Sequence, residues 1–446
     1  MSPHKKIVIV GNSAAGIGAL ESFRSCDRES SLTIISDENR RLYSRCLLSY
    51  FLDGSINETG LSFRSDDYLT NLGANFIFNK KVTHVDSEGQ VIFCDDDSKF
   101  DYDQLLMATG GSPKIPEQID GKIEGVFVLR TMDDAITIRK SMDNARTAFV
   151  LGGGLVGLKA ASAFRKSGLD VTVVVRSKHV LSQMIDYDAA QIVMSRLQEN
   201  GIRVLTQSDI ERVESENNKM NGVKVVKYED DQSNPAEMIL SCDILVIAKG
   251  VKANVDCIRD TRIECNRGIV TDSEMRTNAE NIFAAGDVAE TYDVAMEERS
   301  INALWTCAIQ QGRIAGSNMA GKSRQYDGSL GMNSINFPGV DLISFGAIKG
   351  KPDLGFESIV ENRPEEGIYK KIILKEGKIK GLILVNKIDN AGVLLSVLRR
   401  KIDVVEYKDE ILSDYFTYGR LLGSRGQEEM SRYLYAGMNP GRPTNG

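Results

Sequence analysis

Short apolar runs recur along the first three hundred positions, and most of them stop at glycine. Ile7–Val10 is the first. Four consecutive apolar residues are too few for a buried helix, so with Gly11 behind them they predict a strand covered on both faces. Past Gly11-Asn-Ser-Ala-Ala-Gly16 the period changes: Ile17, Leu20 and Phe23 share one helical face, and Leu32–Ile35 returns to the strand pattern before Ser36-Asp37-Glu38. About 140 residues later the succession repeats. Thr147–Leu151 leads into Gly152-Gly-Gly-Leu-Val-Gly157, a helix face of Leu158, Ala161 and Phe164, and a strand at Val171–Val175. Two further strands close on glycine, Tyr102–Gly111 and Asn281-Ile-Phe-Ala-Ala-Gly-Asp287. Ile202–Leu205, a charged hairpin-like stretch over Glu211–Asp230 and Ile244–Ala248 lie between the second repeat and the last strand.

Strand–loop–helix–strand units of this kind build open parallel sheets with helices on both faces. A glycine loop there lets backbone N–H groups approach a pyrophosphate, and the helix N-terminus adds about half a positive charge. Gly11 and Gly16 frame the first loop, with Ser13 in place of its middle glycine and Ala14 and Ala15 opening the helix. The Ser13 hydroxyl either donates to a phosphate or holds the loop slightly wider. Asp37 or Glu38 is the acid for ribose hydroxyls; spacing does not choose between them. The second loop has all three glycines, Gly152, Gly154 and Gly157, followed by Leu155 and Val156 at the helix start. Its second strand ends on Arg176 and Lys178 with no acid, which leans toward a 2′-phosphate and NADPH while leaving NADH open. The fold class expected is therefore α/β. One Rossmann-like dinucleotide-binding domain (residues 1–113 and 249–325) has a second (114–248) inserted in it. From Tyr326 the texture changes. Strand candidates at Leu342–Phe345, Tyr369–Leu374 and Gly381–Val385 and a helix candidate at Ala391–Arg400 predict an α+β C-terminal domain over 326–446, with a loose tail at Gly437–Gly446.

Composition narrows the classes. Of 446 residues, 55 are Lys or Arg and 62 Asp or Glu, so a net charge of −7 argues against a dedicated nucleic-acid binder. No apolar run approaches ~18 residues, so no membrane span is expected. The run into Ile7–Val10 leaves no room for a signal peptide. Seven irregularly spaced cysteines without a CxxC argue for a reducing, cytoplasmic compartment. With only His4, His84 and His179, neither a metal site nor a histidine-centred triad is expected.

The four ordered motifs together resemble the pyridine nucleotide–disulfide oxidoreductases, flavoproteins with two dinucleotide-binding domains. The resemblance implies FAD on the first loop and NADH or NADPH on the second. It implies that Ala108, Thr109 and Gly110 support the FAD domain, that Asp287 bonds the ribityl chain, that Gly286 lets backbone come close, and that Ser44, Val82 and Gly250 line cofactor segments. Tyr43-Ser-Arg-Cys-Leu-Leu-Ser-Tyr50 is similar to a loop of rubredoxin reductases and of the flavin part of nitrite reductases, where Arg45 would approach the flavin. Cys46 falls where the coenzyme A disulfide reductase branch keeps a single redox cysteine. Arg45 and the helix that follows would lower its thiol pKa. Lys159 stands where relatives carry Glu beside the nicotinamide; it either steadies a reduced flavin or points to solvent. Trp305, the only tryptophan, either packs by the flavin ring or belongs to the core.

No Cys-x4-Cys pair occurs near the first loop and no histidine in the C-terminal part, so the dithiol and His–Glu pair of the glutathione reductase branch are missing. Gly381–Asn386, Gly392–Arg400 and the segment from Tyr418 resemble the C-terminal domain of rubredoxin reductases and the NADH-handling flavoprotein subunits of anaerobic 2-oxoacid (phenylglyoxylate-type) dehydrogenases. The first functional reading is thus an FAD-dependent NAD(P)H oxidoreductase serving a redox protein or iron–sulfur partner subunit, as a dimer or within a larger complex. The second is a disulfide, coenzyme A disulfide or persulfide reductase, or NADH oxidase, working through Cys46. A third is a flavin-bearing protein in which Lys159 has spoiled nicotinamide handling.

Overall fold

A computed structural model of the chain describes residues 4–40, 42–228 and 236–421. The expected tail at Gly437–Gly446 and the end of the charged stretch at Asp230 lie outside the described residues. The chain divides into two compact units, Met1–Met332 with Phe337–Gly339, and Asn333–Asn336 with Val340–Gly446.

The first unit contains two parallel five-stranded sheets. One uses β1 (Lys6–Val10), β2 (Ser31–Ile35), β3 (Asn75–Ile77) and β4 (Gln104–Met107), with α1 (Ala14–Arg24) crossing from β1 to β2. The other uses β5 (Val126–Val128), β6 (Thr147–Leu151), β7 (Asp170–Val174), β8 (Ile202–Leu205) and β9 (Ile244–Ile247), with α2 (Leu155–Lys166) crossing from β6 to β7. The chain then rejoins the first sheet with β10 (Ile282–Ala284) and runs into α3 (Trp305–Met319). The strand orders are β10-β4-β1-β2-β3 and β8-β7-β6-β9-β5. In each sheet the glycine-stopped strand is central: Val8 lies opposite both Thr33 and Leu105, and Val150 opposite both Val173 and Val246. A central parallel strand is covered on both faces, which is why Ile7, Ile9, Val150 and Leu151 are all buried and why the sequence shows a continuous apolar run.

Glycine decides how closely α1 and α3 approach. A Cβ at Gly312 would overlap the carbonyl oxygen of Ala15, and one at Gly316 the carbonyl oxygen of Ala19; from the other side, a Cβ at Gly18 would come within 2.7 Å of the Ile309 oxygen. The two helices therefore meet backbone to backbone, with Ser22 and Ser317 hydroxyls 2.6 Å apart at the end of the contact.

The nested sheet joins the first through one antiparallel pair. Gly111–Pro113 leaves and Val251–Ala253 returns, with Gly111 opposite Ala253 and Pro113 opposite Val251. Asn254 clasps the junction: its Nδ2 donates to Thr109 O (2.9 Å), its backbone oxygen accepts from Thr109 Oγ1 (2.8 Å) and its Oδ1 from Ser112 Oγ (2.7 Å).

The second unit is built on a five-stranded sheet. Its strands are β11 (Met332–Phe337), β12 (Val340–Gly346), β13 (Phe356–Arg363), β14 (Ile368–Lys375) and β15 (Lys378–Val385), in the order β11-β12-β15-β14-β13, with α4 (Ala391–Arg399) against β15. β12, β14 and β15 match the expected strands; β11 and β13 were not anticipated. β13 reads Phe-Glu-Ser-Ile-Val-Glu-Asn-Arg and lies at the sheet edge, where polar side chains face solvent and the apolar signal fades. On neighbouring β14 the buried Lys370 ammonium bonds Asp414 Oδ1 (2.6 Å), Leu412 O (2.8 Å) and Glu361 Oε2 (3.2 Å), which ties the following segment to the sheet. No described helix is long and apolar enough to cross a membrane.

Two glycine substitutions with opposite effects follow. Gly316→Val forces α1 and α3 apart and lowers stability by about 2–4 kcal/mol. Gly392→Ala, on an exposed turn of α4 with open space around it, raises stability by up to ~1 kcal/mol. Urea unfolding of the two variants should move the midpoint in opposite directions.

Candidate functional site

Each parallel sheet opens a crevice beyond the carboxyl ends of its strands, where the glycine loops lie. Which glycines the protein itself requires can be read from the space around them. Gly11 has φ +112° and Gly152 φ +125°, and a Cβ at either would overlap a carbonyl oxygen of the neighbouring strand's end, Ala108 or Ala248. Gly16 and Gly157 are packed just as tightly, against the carbonyls of Gly11 and Gly152. The middle position differs. Gly154 has nothing within 4 Å, so no protein group forbids a side chain there. Ser13 occupies the same place, as the residue capping α1, and its hydroxyl makes no capping bond.

The first intrahelical bonds run from Ile17 N to Ser13 O and from Leu158 N to Gly154 O, both 3.0 Å. The N–H groups of Ala14, Ala15 and Gly16, and of Leu155, Val156 and Gly157, precede those bonds and have no helical acceptor. Two helix starts whose first donors have no helical acceptor, one approached past Ser13 and the other past the open Gly154, fit two pyrophosphates.

Around the first crevice the structure separates the two candidate acids. Asp37 is exposed. Glu38 is half-buried, accepts from Tyr43 Oη (2.6 Å) and pairs with Arg45. Buried Asn12 braces the turn, donating to Arg40 O (2.8 Å) and accepting from Ser36 Oγ (3.1 Å). Val82 buries its side chain in the core, leaving its backbone as the part that can serve a ligand. At the end of β10, Gly286 (φ +85°) donates its N–H to Gln311 Oε1 (2.8 Å), and Asp287 pairs with Arg130 at 2.9 Å. Trp305, at the start of α3, is partly buried and packs edge-on against Phe63 with ring centres 4.9 Å apart.

Arg45 and Cys46 depart from the sequence expectation. The Arg45 guanidinium turns to Glu38, to the Arg130 carbonyl (2.8 Å) and over the Tyr43 ring. The leading charges on Cys46 are Asp287 and Arg130 instead. Cys46 is exposed, yet burial of its sulfur is the first influence on the thiol and pushes it up. The Asp287 carboxylate adds to that, and Arg130 with the Ser44 hydroxyl offsets only part. The expectation of a lowered thiol pKa is therefore corrected: the sequence neighbour points to Glu38, and the Asp287 carboxylate, just beyond β10, is the leading charge.

In the second crevice Arg176 and Lys178 are exposed at the end of β7, and Gly250 (φ +87°) stands open beyond β9. Lys159, in the second turn of α2, does not point to solvent alone. Its ammonium lies 3.4 Å from Tyr50 Oη and 5.3 Å from that ring's centre. Lys166 bonds Ser55 Oγ (2.8 Å) and Asp53 Oδ2 (3.2 Å), and Arg139 Nη1 bonds Phe51 O (3.2 Å). Three cations from the nested part thus hold the helix that begins just after Cys46. Sequence reasoning missed Arg130, Asn254, Gln311 and Tyr43; their partners are up to 157 positions away, and no local pattern marks them.

Comparison with known proteins bears on both crevices. Residues 5–312 match the family model described as pyridine nucleotide-disulphide oxidoreductase, and residues 332–402 match the rubredoxin NAD+ reductase C-terminal domain. The chain is 29% identical to the NADH-dependent phenylglyoxylate dehydrogenase subunit epsilon of Aromatoleum evansii, over 95% of this chain and 98% of that one. It is 26% identical to the NADH-rubredoxin oxidoreductase of Clostridium acetobutylicum, over 92% and 97%. The chain spans about half the length of two further curated relatives. Its fold matches a chain of the covalent putidaredoxin reductase–putidaredoxin complex with a TM-score of 0.81 at 21% identity, over 90% of this chain and 94% of that one. The matched span takes in both parallel sheets, the crossover between them and the first half of α3. The chain accordingly belongs to the pyridine nucleotide-disulphide oxidoreductases, enzymes that bind FAD and NAD(P)H.

Proposed function

We propose that this protein passes electrons between a nicotinamide nucleotide and a one-electron redox protein or iron–sulfur partner subunit. FAD would sit on residues 1–113 and 249–325, and the nicotinamide nucleotide on 114–248. Bound FAD supplies the exchange between hydride and single-electron chemistry. The chain's own residues do the rest. The N–H groups of Ala14–Gly16 take one pyrophosphate and those of Leu155–Gly157 the other. Glu38, steadied by Tyr43 and Arg45, takes ribose hydroxyls. Asp287 is held by Arg130 at the mouth of the first crevice, and Lys159, Lys166 and Arg139 keep the nested part on the helix beside it.

The match of residues 332–402 to the rubredoxin NAD+ reductase C-terminal domain carries this reading over the thiol reading, and the direction of the Cys46 shift points the same way. A thiol that is to attack a disulfide needs thiolate at neutral pH. Burial and the Asp287 carboxylate hold Cys46 toward the protonated form. The match of residues 332–402 to a rubredoxin reductase domain, and the full-length likeness to two NADH-linked relatives, support a protein acceptor. We assign the second unit to the interface with that partner or with another copy of this chain.

Anaerobic addition of NADH or NADPH should bleach the flavin, and the reduced protein should then reduce a one-electron dye. Cys46→Ser should retain dye reduction within about twofold, since no step depends on the sulfur; loss of tenfold or more would return the thiol reading. Peptide-resolved alkylation gives a second check. Because the Cys46 pKa is raised, its capture by iodoacetamide should stay slow at neutral pH and climb only above the ordinary thiol value of ~8.5. Fast capture at pH 7 would contradict the structure.

A further inference from the structure

The region beyond β7 holds a cluster that the reading above leaves unused. Arg176 lies flat on Tyr228, with its guanidinium carbon 3.7 Å from the ring centre. Its Nη1 is 3.6 Å from Asp209 Oδ2. The same carboxylate, 15% exposed, takes Lys249 Nζ at 3.3 Å on both oxygens and accepts from Ile210 N at 3.0 Å. Backbone bonds set the arrangement. Ser208 N donates to Val175 O (2.9 Å), Gln207 N to Ser177 O (3.0 Å) and Tyr228 N to Gln207 O (2.7 Å). The turn after β7, the segment after β8 and Tyr228 are thus laced together, and Arg176 has little freedom to leave the ring.

From this geometry we infer that the second crevice is built for the 2′-phosphate of NADPH, with Arg176 as the residue that selects it. Three features point the same way. The end of β7 reads Val174-Val175-Arg176 and offers no carboxylate to ribose hydroxyls. Among the described residues, the carboxylate of the cluster, Asp209, is taken by two cations, so Arg176, Lys249 and Asp209 together carry one positive charge in excess. Arg176 is pre-oriented, with one face on Tyr228 and more than half of its side chain exposed. A planar guanidinium held this way presents its N–H edge to a phosphate and its outer face to an adenine ring, with little ordering left to do. Asp209 and Tyr228 act as positioning residues, through Arg176. Lys249 lies beside the glycine loop, since its backbone N would be 3.4 Å from a Cβ at Gly152; the cluster therefore borders the same crevice and not a separate surface.

The inference rests on the oxidoreductase reading, and its test separates the two. Calorimetric titration of the flavin-loaded protein with 2′,5′-ADP and with 5′-AMP reads the extra phosphate without turnover. The expected result is 2′,5′-ADP binding roughly 10–100-fold tighter than 5′-AMP, with the ratio falling to about two or less in Arg176→Gln. Tyr228→Leu, which keeps every charge but removes the platform, should lower the ratio by roughly threefold to tenfold, and Tyr228→Phe should preserve it. Equal binding of the two ligands by the unaltered protein, or an unchanged ratio in Arg176→Gln, overturns the assignment. If NADH bleaches the flavin and NADPH does not, the phosphate assignment falls and the oxidoreductase reading stands. If neither nucleotide bleaches it, both fall.

Discussion

In the first unit the backbones of α1 and α3 meet without side chains between them. Glycines at 18, 312 and 316 remove the side chains that would separate the helices, so Ala15 and Ala19 carbonyls face α3 directly. That contact fixes more than two helices. α1 begins at the first glycine loop, and α3 carries Gln311, whose amide oxygen holds the Gly286 N–H beside Asp287. Ala15 also limits Gly286 from the other side, 3.0 Å from where its Cβ would be. The first glycine loop and Asp287 are therefore positioned by one glycine-lined seam, though about 270 residues separate them in the chain.

The two cradles obey the same rule and break it at the same place. Their outer glycines answer to the protein's own carbonyls, so replacement there collides with backbone whether or not a ligand is present. At the middle position of the second loop, Gly154, no protein atom stands in the way of a side chain. Ser13 stands at the matching place of the first loop, and it keeps an uncommitted hydroxyl where Gly154 leaves only space. The sequence departure at Ser13 thus leaves the strand–loop–helix path of the first cradle like that of the second.

What the sequence made legible was whatever depends on near neighbours and on burial. The two βαβ units, the central strands and three strands of the C-terminal sheet stand out because central parallel strands are apolar throughout and glycine ends them. What stayed hidden depends on distant partners. Asp37 and Glu38 have the same chemistry and adjacent positions; only the folded placement of Tyr43 and Arg45 distinguishes them. Cys46 looked like an activated thiol because Arg45 adjoins it in sequence, whereas the charges that reach it, Asp287 and Arg130, come from elsewhere. Strand β13 was lost because an edge strand need not be apolar.

The antiparallel pair at Gly111–Pro113 and Val251–Ala253 has an evolutionary and practical consequence. Entry to and exit from the nested fold lie side by side and are stapled by Asn254. A fold whose two ends coincide can be lifted out and replaced by another with matching ends, leaving the host sheet closed behind it. The nested fold is then a cassette, exchangeable without rebuilding the sheet that hosts it.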